Sequence, residues 1–345
     1  EEMATSGVIS TNTKYGSCFW VKWEISGTTE GLWNITDGKT GWCNLLEVSA
    51  ETGLWKNAQL ETAAISTYNL GIPVAGDLQA FSCIDAGPDK AFRLIEAGIR
   101  QNIGDKGSVY AGLRNMDHFT TPFTALFTNA SHGNFPILSA NFPLATYPLA
   151  ALCLHTEFSP LPGLTFRESL YNGVASDRIN RQFRFCPRSD GMFNIGSLSY
   201  HIGEEDRHHG YSAVGYALGS SPSETSADKT FNYALWTLIE QPLLHVGESH
   251  LGAMWQGGTS PASRSTCRHY WGAGLIWSNI PPQMTQVGLV VNRALYADGR
   301  ETDVELTGSF PVCNHFTLQP AVHCINTNGN YTAAAQLRAI LEFGN

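Results

Sequence analysis

The stretch that decides the fold is residues 302–325, which read TDVELTGSF, then PVCN, then HFTLQPAVHCI. In the first block, apolar residues such as Val304 and Leu306 alternate with acidic or small polar residues, and the alternation resumes after PVCN. Strict alternation is typical of a β-strand with one apolar and one polar face. Two such strands joined by a short turn predict an antiparallel hairpin.

The same alternation recurs along the chain in segments of about ten residues. It continues in Thr332–Phe343 after the turn Asn326–Asn330, and it precedes the quoted stretch in Gln286–Tyr296. Weaker candidates lie between residues 41 and 84, and the other candidates are Ser17–Ile25, Ala91–Ile103, Ser108–Arg114, Leu149–Phe158, Leu164–Asn172, Met192–Ile202, Tyr211–Leu218, Thr230–Glu240 and His269–Trp277. The pattern predicts about sixteen strands, and even numbers are usual for bacterial outer-membrane barrels.

The composition also favours a barrel in a membrane. Charged residues make up 15% of the 345 residues, against about 25% in average soluble proteins, whereas aromatic residues reach 11%. No run approaches the ~18 apolar residues of a membrane-spanning helix. Only a closed barrel satisfies the backbone hydrogen bonds of strands in lipid. We therefore expect an all-β, transmembrane, antiparallel up-and-down barrel, with residues 1–345 as a single domain.

Motifs of enzymes and of nucleic-acid binding proteins are missing from the sequence. The net charge is −9 and no Lys/Arg run is present, which argues against nucleic acid as a partner. There is no GxSxG, HExxH or phosphate-binding glycine loop. The scattered acids give no pair for glycoside hydrolysis. Arg207-His208-His209, after three acidic residues, is a weak candidate for metal binding, and a charged loop tip explains it more simply. We expect no catalysis, no metal and no cofactor.

The eight cysteines are spread one per segment and form no CxxC pair. This spacing argues against a zinc site. The simplest interpretation is that they are small residues of the barrel wall, and some disulfides remain an alternative.

One connection departs from the alternating pattern. Residues 115–147 are long, contain prolines and lack steady alternation. An irregular loop of this length in a compact fold usually has a function. We predict that it folds inward and narrows the lumen, and an exposed loop or a lateral contact is the alternative.

Several short motifs stand in a fixed order between residues 112 and 323. They are Gly112-Leu113-Arg114, Leu126–Pro136 (LFTNASHGNFP), Tyr147-Pro148, Pro162-Gly163-Leu164, Tyr171-Asn172-Gly173, Glu301–Leu306 (ETDVEL) and Phe316–His323 (FTLQPAVH). Their order and spacing resemble those of the OprB-type carbohydrate-selective porins, over roughly residues 15–343. The resemblance implies an outer-membrane barrel that passes glucose and related sugars passively, with an arginine-rich constriction. A general diffusion porin and a soluble all-β glycan-binding protein are the alternatives.

Sugar transport needs a wet lumen whose side chains replace the water on the sugar hydroxyls and still release the solute. Arginine suits this role because its planar fork can donate two bonds to adjacent hydroxyls. An arginine facing lipid costs about 2–4 kcal/mol at the midplane, so arginines within strands should face the lumen or a rim. Pairing with a carboxylate such as Glu96 or Glu305 is the alternative role for any one of them. The predicted pore-lining residues are Arg93, Arg100, Arg114, Arg167, Arg338, Glu305, Gln319, His323, Trp20 and Glu157.

The first strand illustrates how faces are assigned. With Phe19, Val21 and Trp23 facing lipid, Trp20 and its alternate neighbours face the lumen. Tryptophans near strand ends could form aromatic girdles at the two membrane interfaces. The candidates are Trp42, Trp55, Trp236, Trp255, Trp271 and Trp277.

The surroundings of the barrel follow from the same expectation. The partners are small carbohydrates, outer-membrane lipid and lipopolysaccharide, and either a monomer or a homotrimer is compatible with the sequence. If the C-terminus is periplasmic, the turns Ala297–Arg300 and Asn326–Asn330 face outside. The turn Pro311–Asn314 then faces the periplasm.

Overall fold

A computed structural model describes residues 20–122, 125–202, 210–222 and 229–344. Within these ranges sixteen antiparallel strands form one closed barrel, in which each strand pairs with its chain neighbours and the first pairs with the last. The predicted fold class and strand number are confirmed. The strands are β1 (Val21–Asn34), β2 (Thr40–Trp55), β3 (Ala58–Leu70), β4 (Lys90–Ile103), β5 (Gly107–Arg114), β6 (Ala151–Leu161), β7 (Leu164–Asn172), β8 (Met192–Ile202), β9 (Gly210–Pro222), β10 (Lys229–Val246), β11 (Ser249–Thr259), β12 (Cys267–Ile280), β13 (Thr285–Tyr296), β14 (Arg300–Cys313), β15 (Phe316–Thr327) and β16 (Asn330–Gly344).

The alternating apolar and polar residues of the sequence form the outer and inner faces of the barrel wall. On β14, Asp303 and Glu305 are buried inside the barrel, while Val304 and Leu306 are exposed on the outside. An apolar outer face around a polar interior is what a lipid-facing barrel requires. On β1, the exposed Val21 and Trp23 take the outward face, as predicted. Phe19 lies outside the described residues.

Two details of the sequence analysis were wrong. Strand β11 was not recognised, because Gly252, Gly257 and Gly258 interrupt its alternation. Trp236 does not belong to a girdle, because it faces inward and is only 3% exposed. Its ring lies over Gly215, where an added Cβ would meet the indole at 2.2 Å. Other tryptophans of the set are exposed on the outer face, and these are Trp42, Trp55, Trp255 and Trp277.

Two long connections enter the lumen from the end of the barrel opposite the C-terminus. We call them the first inward segment (residues 71–89) and the second inward segment (residues 115–150). The second includes the 3₁₀ helices Asp117–Phe119 and Ala130–His132 and the short helix α1 (Pro136–Ser139). The prediction that this connection folds inward is confirmed.

Apolar side chains fix the second inward segment against one side of the wall. Phe135 packs on Tyr270 with ring centroids 5.4 Å apart and on Trp236 at 6.2 Å. Ile137 is fully buried and fills the space over Gly258. Two further short helices, α2 (Ile179–Gln182) and α3 (Pro187–Asp190), lie between β7 and β8. Within the described ranges, no helix has the length and apolar character needed to cross a membrane.

Candidate functional site

Three arginines line the inner face of neighbouring strands β4 to β7, and we call Arg100, Arg114 and Arg167 the arginine wall. Each one is paired with a carboxylate. The wall keeps some contact with water, since the three side chains are 18%, 19% and 20% exposed. The pairs are Arg100 Nε–Glu61 Oε1 at 2.5 Å, Arg114 Nε–Glu96 Oε1 at 3.2 Å and Arg167 Nε–Glu157 Oε2 at 2.9 Å.

Tyr110 on β5 separates two of these arginines. The guanidinium carbons of Arg100 and Arg114 lie 5.7 Å and 5.2 Å from its ring centroid, distances at which a cation attracts an aromatic face. The Tyr110 hydroxyl donates to the Leu113 carbonyl at 2.6 Å. Gly98 makes room for the ring, because a Cβ there would lie 2.4 Å from the hydroxyl.

A pair of histidines completes this side of the lumen. His118 of the second inward segment meets His155 of β6 edge-to-face, with ring centroids 5.0 Å apart. Burial, together with the nearby Arg114, lowers the pKa of His118 well below its usual range, so the ring is neutral at pH 7. Neither ring nitrogen of His118 has a hydrogen-bond partner among the described residues. His155 Nδ1 lies 2.7 Å from Ser169 Oγ.

Arg338, Glu305, Gln319 and His323 also face the lumen, but the inward segments cover them. Arg338 donates to Glu30 Oε1 at 2.5 Å and to the Cys83 sulfur at 2.9 Å. Glu30 also accepts the hydroxyl of Ser82. A buried charged pair of this kind holds the first inward segment against β1 and β16.

Glu305 and Gln319 hold the second inward segment in the same way. The Glu305 carboxylate accepts the Thr128 N–H at 2.7 Å, the Thr128 hydroxyl at 2.8 Å and the Asn129 N–H at 3.2 Å. Gln319 Nε2 donates to the Leu126 carbonyl at 2.5 Å. Both side chains are almost completely buried.

His323 is the centre of the same network. Its Nδ1 lies 2.9 Å from Asp303 Oδ2, and its Nε2 lies 3.2 Å from the Thr128 hydroxyl. Because that hydroxyl donates its proton to Glu305, Nε2 must be a donor, and Nδ1 donates to a carboxylate. The geometry therefore describes a ring that is protonated on both nitrogens and donates to Asp303 and to Thr128.

Asp303, Glu305 and His323 bring ligand atoms within 4.8 Å of one another, as a metal site would. Most of those atoms already bond each other or the second inward segment, and a charged imidazole is not a ligand. We assign no metal to this cluster. The other metal candidate, Arg207-His208-His209, lies outside the described residues.

The remaining predicted residues lie in different places. Arg93 is buried and donates to the Thr67 hydroxyl and the Pro88 carbonyl, both at 2.6 Å. Glu157 belongs to the arginine wall through Arg167. Trp20 directly precedes β1 and is half-buried, with the Lys22 ammonium 5.5 Å from its ring centroid.

The sequence analysis did not select Tyr110 or His118. The sequence indicated Tyr110 only weakly, through Gly98 and Gly112, which lie close to it on the paired strands β4 and β5. His118 gave no signal, because periodicity assigns no face in an irregular connection. The seven described cysteines are free.

Comparison with known proteins settles the family. The model of the carbohydrate-selective porin family OprB matches residues 38–294, which is more than half of the chain. The chain belongs to the OprB family. It is therefore a sugar-selective porin of the bacterial outer membrane. No curated protein sequence matches the chain.

Solved structures agree on the fold. OprB of Pseudomonas putida, in its high-pH structure, superposes with a TM-score of 0.79 at 14% identity, covering 94% of each chain. The anion-selective porin of Comamonas acidovorans gives a TM-score of 0.61 at 10% identity, covering 94% of this chain and 99% of that one. OmpT of Vibrio cholerae lacking loop L8 gives 0.60 at 10% identity, with the same coverage. At such identities the likeness shows the fold alone.

Proposed function

We propose that small neutral sugars such as glucose are selected at the arginine wall and diffuse passively past it. The observation that carries this proposal is the partial exposure of Arg100, Arg114 and Arg167 on one lumenal face. Arg93 and Arg338 are also lumenal but are buried, so the arginines that a passing solute can contact are those of the arginine wall.

The pairing of each arginine supports a weak and selective site. A carboxylate holds each guanidinium in a fixed plane, so that little side-chain entropy is lost when a sugar binds. Five N–H donors per arginine exceed what one carboxylate accepts, and the remaining donors can replace water on a hydroxyl. The wall balances three cations with Glu61, Glu96 and Glu157, which favours a neutral solute over a strongly charged one.

Transport without chemical change fits the same groups. Each carboxylate of the wall is engaged by an arginine, and a channel must bind its solute weakly enough to release it.

Around the barrel, the exposed outer side chains would contact lipid and lipopolysaccharide. A trimer form is described for OmpT of Vibrio cholerae, and cross-linking in the membrane would test whether this chain forms a homotrimer or stays a monomer.

Liposome swelling tests the proposal. We compare the entry of glucose with that of an amino acid of similar size, for the wild type and for Arg114→Gln and Arg167→Gln. These two arginines are chosen because their partners Glu96 and Glu157 are 23% and 36% exposed, so water can solvate the carboxylate left behind. Arg300→Gln is the matched control, since Arg300 is exposed at a strand end.

The wild type should admit glucose faster than the amino acid. Each wall variant should reduce that preference by roughly threefold to tenfold, as expected for the loss of one or two hydrogen bonds to the sugar. The Arg300 variant should keep it. Equal entry of both solutes into wild-type liposomes would mean a general diffusion porin. An unchanged preference for glucose in the wall variants would show that the arginine wall does not select the solute.

A further inference from the structure

The outer face of the barrel carries an apolar groove, which we call the outer groove and which is formed by residues within 46–50, 62–66 and 91–94. Its volume is about 390 Å³, within the range of about 300–1,000 Å³ that small-molecule sites occupy. Strands β2, β3 and β4 form it, and the outward side chains of such strands are the ones that meet lipid in a membrane barrel. The groove is therefore a candidate site for a molecule of the membrane, outside the pore.

The groove runs along β3 because the outward side chains of this middle strand are small. These residues are Thr62, Ala64 and Ser66. Ala64 pairs with Val48 of β2 and with Leu94 of β4, so a small side chain lies between two larger ones. Residues 62–66 extend over about 13 Å of strand. A long and narrow apolar groove of this kind suits an extended hydrocarbon chain.

Irregular pairing between β3 and β4 shapes one side of the groove. The register shifts at two places, each time with one extra residue on β4. Ala91 and Phe92 are consecutive, yet both are exposed and both line the groove. Regular alternation would turn one of them into the lumen. Bulges of this kind are frequent beside functional sites.

Two arginines of the β7–β8 connection lie beside the groove, and we call Arg178 and Arg181 the rim arginines. The chain around them runs alongside β4, beyond the point where β4 pairs with β5. Lys90 Nζ of β4 lies 2.6 Å from Asp177 Oδ2, and Gln182 Nε2 donates to the β4 backbone at 2.7 Å. These two bonds hold α2 next to the groove strand β4, at the end of the barrel from which the inward segments enter.

The rim arginines have no acidic partner in the part of the chain that the structure describes. Both are exposed, and within the described ranges neither is part of an ion pair. The adjacent acid, Asp177, is engaged by Lys90. An exposed guanidinium without a carboxylate is suited to phosphate, which it binds through two parallel hydrogen bonds.

The same short stretch also exposes apolar side chains. Ile179 and Phe183 are 53% and 48% exposed, and each follows a rim arginine within two residues. Arginines beside exposed apolar residues are typical of segments that lie at an anionic membrane surface. The groove offers a sugar few polar partners. An anionic lipid matches both parts, with its hydrocarbon in the groove and its phosphate at the rim arginines.

We propose that the outer groove and the rim arginines bind lipopolysaccharide, with an acyl chain along β3 and a phosphate of lipid A at Arg178 and Arg181. With the C-terminus in the periplasm, as predicted, this end of the wall lies in the outer leaflet, where lipopolysaccharide is the anionic lipid. The inference rests on the membrane location and on that orientation. It goes beyond the proposed function, because the site is on the outside of the barrel and sugar does not meet it.

Native mass spectrometry of the detergent-solubilised barrel tests the inference, because it counts the lipid molecules bound to each barrel. The probes are lipid A, lipid A without its phosphates, and inorganic phosphate as a competitor. The charge variant combines Arg178→Gln with Arg181→Gln. Its matched control combines Arg264→Gln with Arg300→Gln, two arginines that are exposed at the same end of the barrel.

A second variant tests the groove by its shape. Ala64→Leu fills the space between the larger side chains of β2 and β4 while keeping an apolar outer face. Ala111→Leu is the matched control, because Ala111 is exposed on the outer face of β5 and lies outside the groove.

The wild type should bind one lipid A molecule in a saturable way. The charge variant should raise the half-saturating concentration roughly twentyfold to thirtyfold, or about fivefold for each arginine. Ala64→Leu should raise it as well, because the acyl chain loses its space, and both controls should match the wild type. Lipid A without phosphates should bind the wild type as weakly as lipid A binds the charge variant.

Equal shifts in the test and control variants would overturn the inference. So would equal binding of lipid A with and without its phosphates, or displacement of lipid A by an equal concentration of inorganic phosphate. A dimer of barrels that Ala64→Leu abolishes would assign the groove to a second copy of the chain instead. Glucose entry into liposomes should be the same for all these variants, so a failure here is distinct from a failure of the proposed function.

Discussion

At the scale of single residues, the lumenal arginines differ in how much of each side chain is exposed to water. The wall arginines keep about a fifth of their side-chain surface in water, whereas Arg338 is held by Glu30 and Cys83 beneath the first inward segment. A partly hydrated guanidinium can exchange water for sugar at small cost. A buried guanidinium already has its hydrogen-bond partners, and removing its carboxylate partner would leave a buried charge unpaired.

Gly112 is a residue whose replacement should be costly. Its φ of +154° is unfavourable for other residues, and a Cβ would lie 2.3 Å from the Gly98 Cα. We expect Gly112→Ala to destabilise the barrel by about 1–3 kcal/mol, measured as the temperature at which the folded form is lost on gel electrophoresis. Gly27→Ala is the control, because nothing lies within 4 Å of its added Cβ. Equal temperatures for both variants would contradict the steric argument.

His118 should give the barrel a measurable pH dependence. Burial lowers its pKa when folded, while an unfolded histidine titrates near 6.5. Its contribution to stability is therefore present above pH 6.5 and is lost as the pH falls, because the unfolded chain then binds the proton more readily. Between pH 6.5 and 5.5 the wild type should lose about 1 kcal/mol more than His118→Gln, because the unfolded histidine is already half protonated at pH 6.5. Urea unfolding in lipid vesicles measures this difference, and parallel pH curves would contradict it.

At the scale of elements, the inward segments depend on carboxylates of the wall. Glu301 of β14 accepts the N–H groups of residues 77, 78 and 79 at 2.9, 3.1 and 2.9 Å, much as an anion binds in a backbone nest. Glu305, four residues further on and on the same face, binds the other segment. One face of a single strand thus positions both inward segments.

Removal of Glu305 should loosen the second inward segment. Glu305→Ala leaves the N–H groups of Thr128 and Asn129 without their acceptor, at about 1–3 kcal/mol for each buried group. We expect a larger single-channel conductance and weaker preference for glucose over the amino acid. Glu342→Ala is the control, since Glu342 is exposed near the end of β16. A conductance equal to that of the control would show that the segment stays in place without Glu305.

At the scale of the whole molecule, strand pairing fixes which turns share an end. The pairing of Glu24 with Gly344 places the start of β1 beside the end of β16. The turn between β14 and β15 lies at this end, and the turns at residues 297–299 and 328–329 lie at the other, from which both inward segments enter.

The sidedness of the barrel remains a prediction that tags can test. With the C-terminus in the periplasm, an epitope inserted after Asn328 should be labelled on intact cells. An epitope inserted after Asn314 should be labelled only after the outer membrane is opened. The reverse pattern would mean that the barrel has the opposite orientation, with the inward segments entering from the periplasmic side.

The sequence by itself determined the barrel and its two faces. Successive side chains of a strand point to opposite faces. The local sequence is therefore enough to place Val304 and Leu306 on one side of β14 and Asp303 and Glu305 on the other. The cost of an arginine facing lipid led to the prediction that Arg100, Arg114, Arg167 and Arg338 face the lumen or a rim, without any knowledge of contacts. The period of two did not reveal β11, where glycines interrupt the pattern. The prediction for Trp236 was wrong because it rested on residue type alone, which does not assign a face.

Only the tertiary structure decided which lumenal residues meet water. Arg338 and Arg100 have the same chemistry and lie on the same face of the wall. They differ because the inward segments cover one side of the lumen and leave the other partly open. The packing of Phe135 and Ile137 depends on the position that an irregular segment takes inside the barrel. That position depends on contacts between residues far apart in sequence, which no local periodicity encodes.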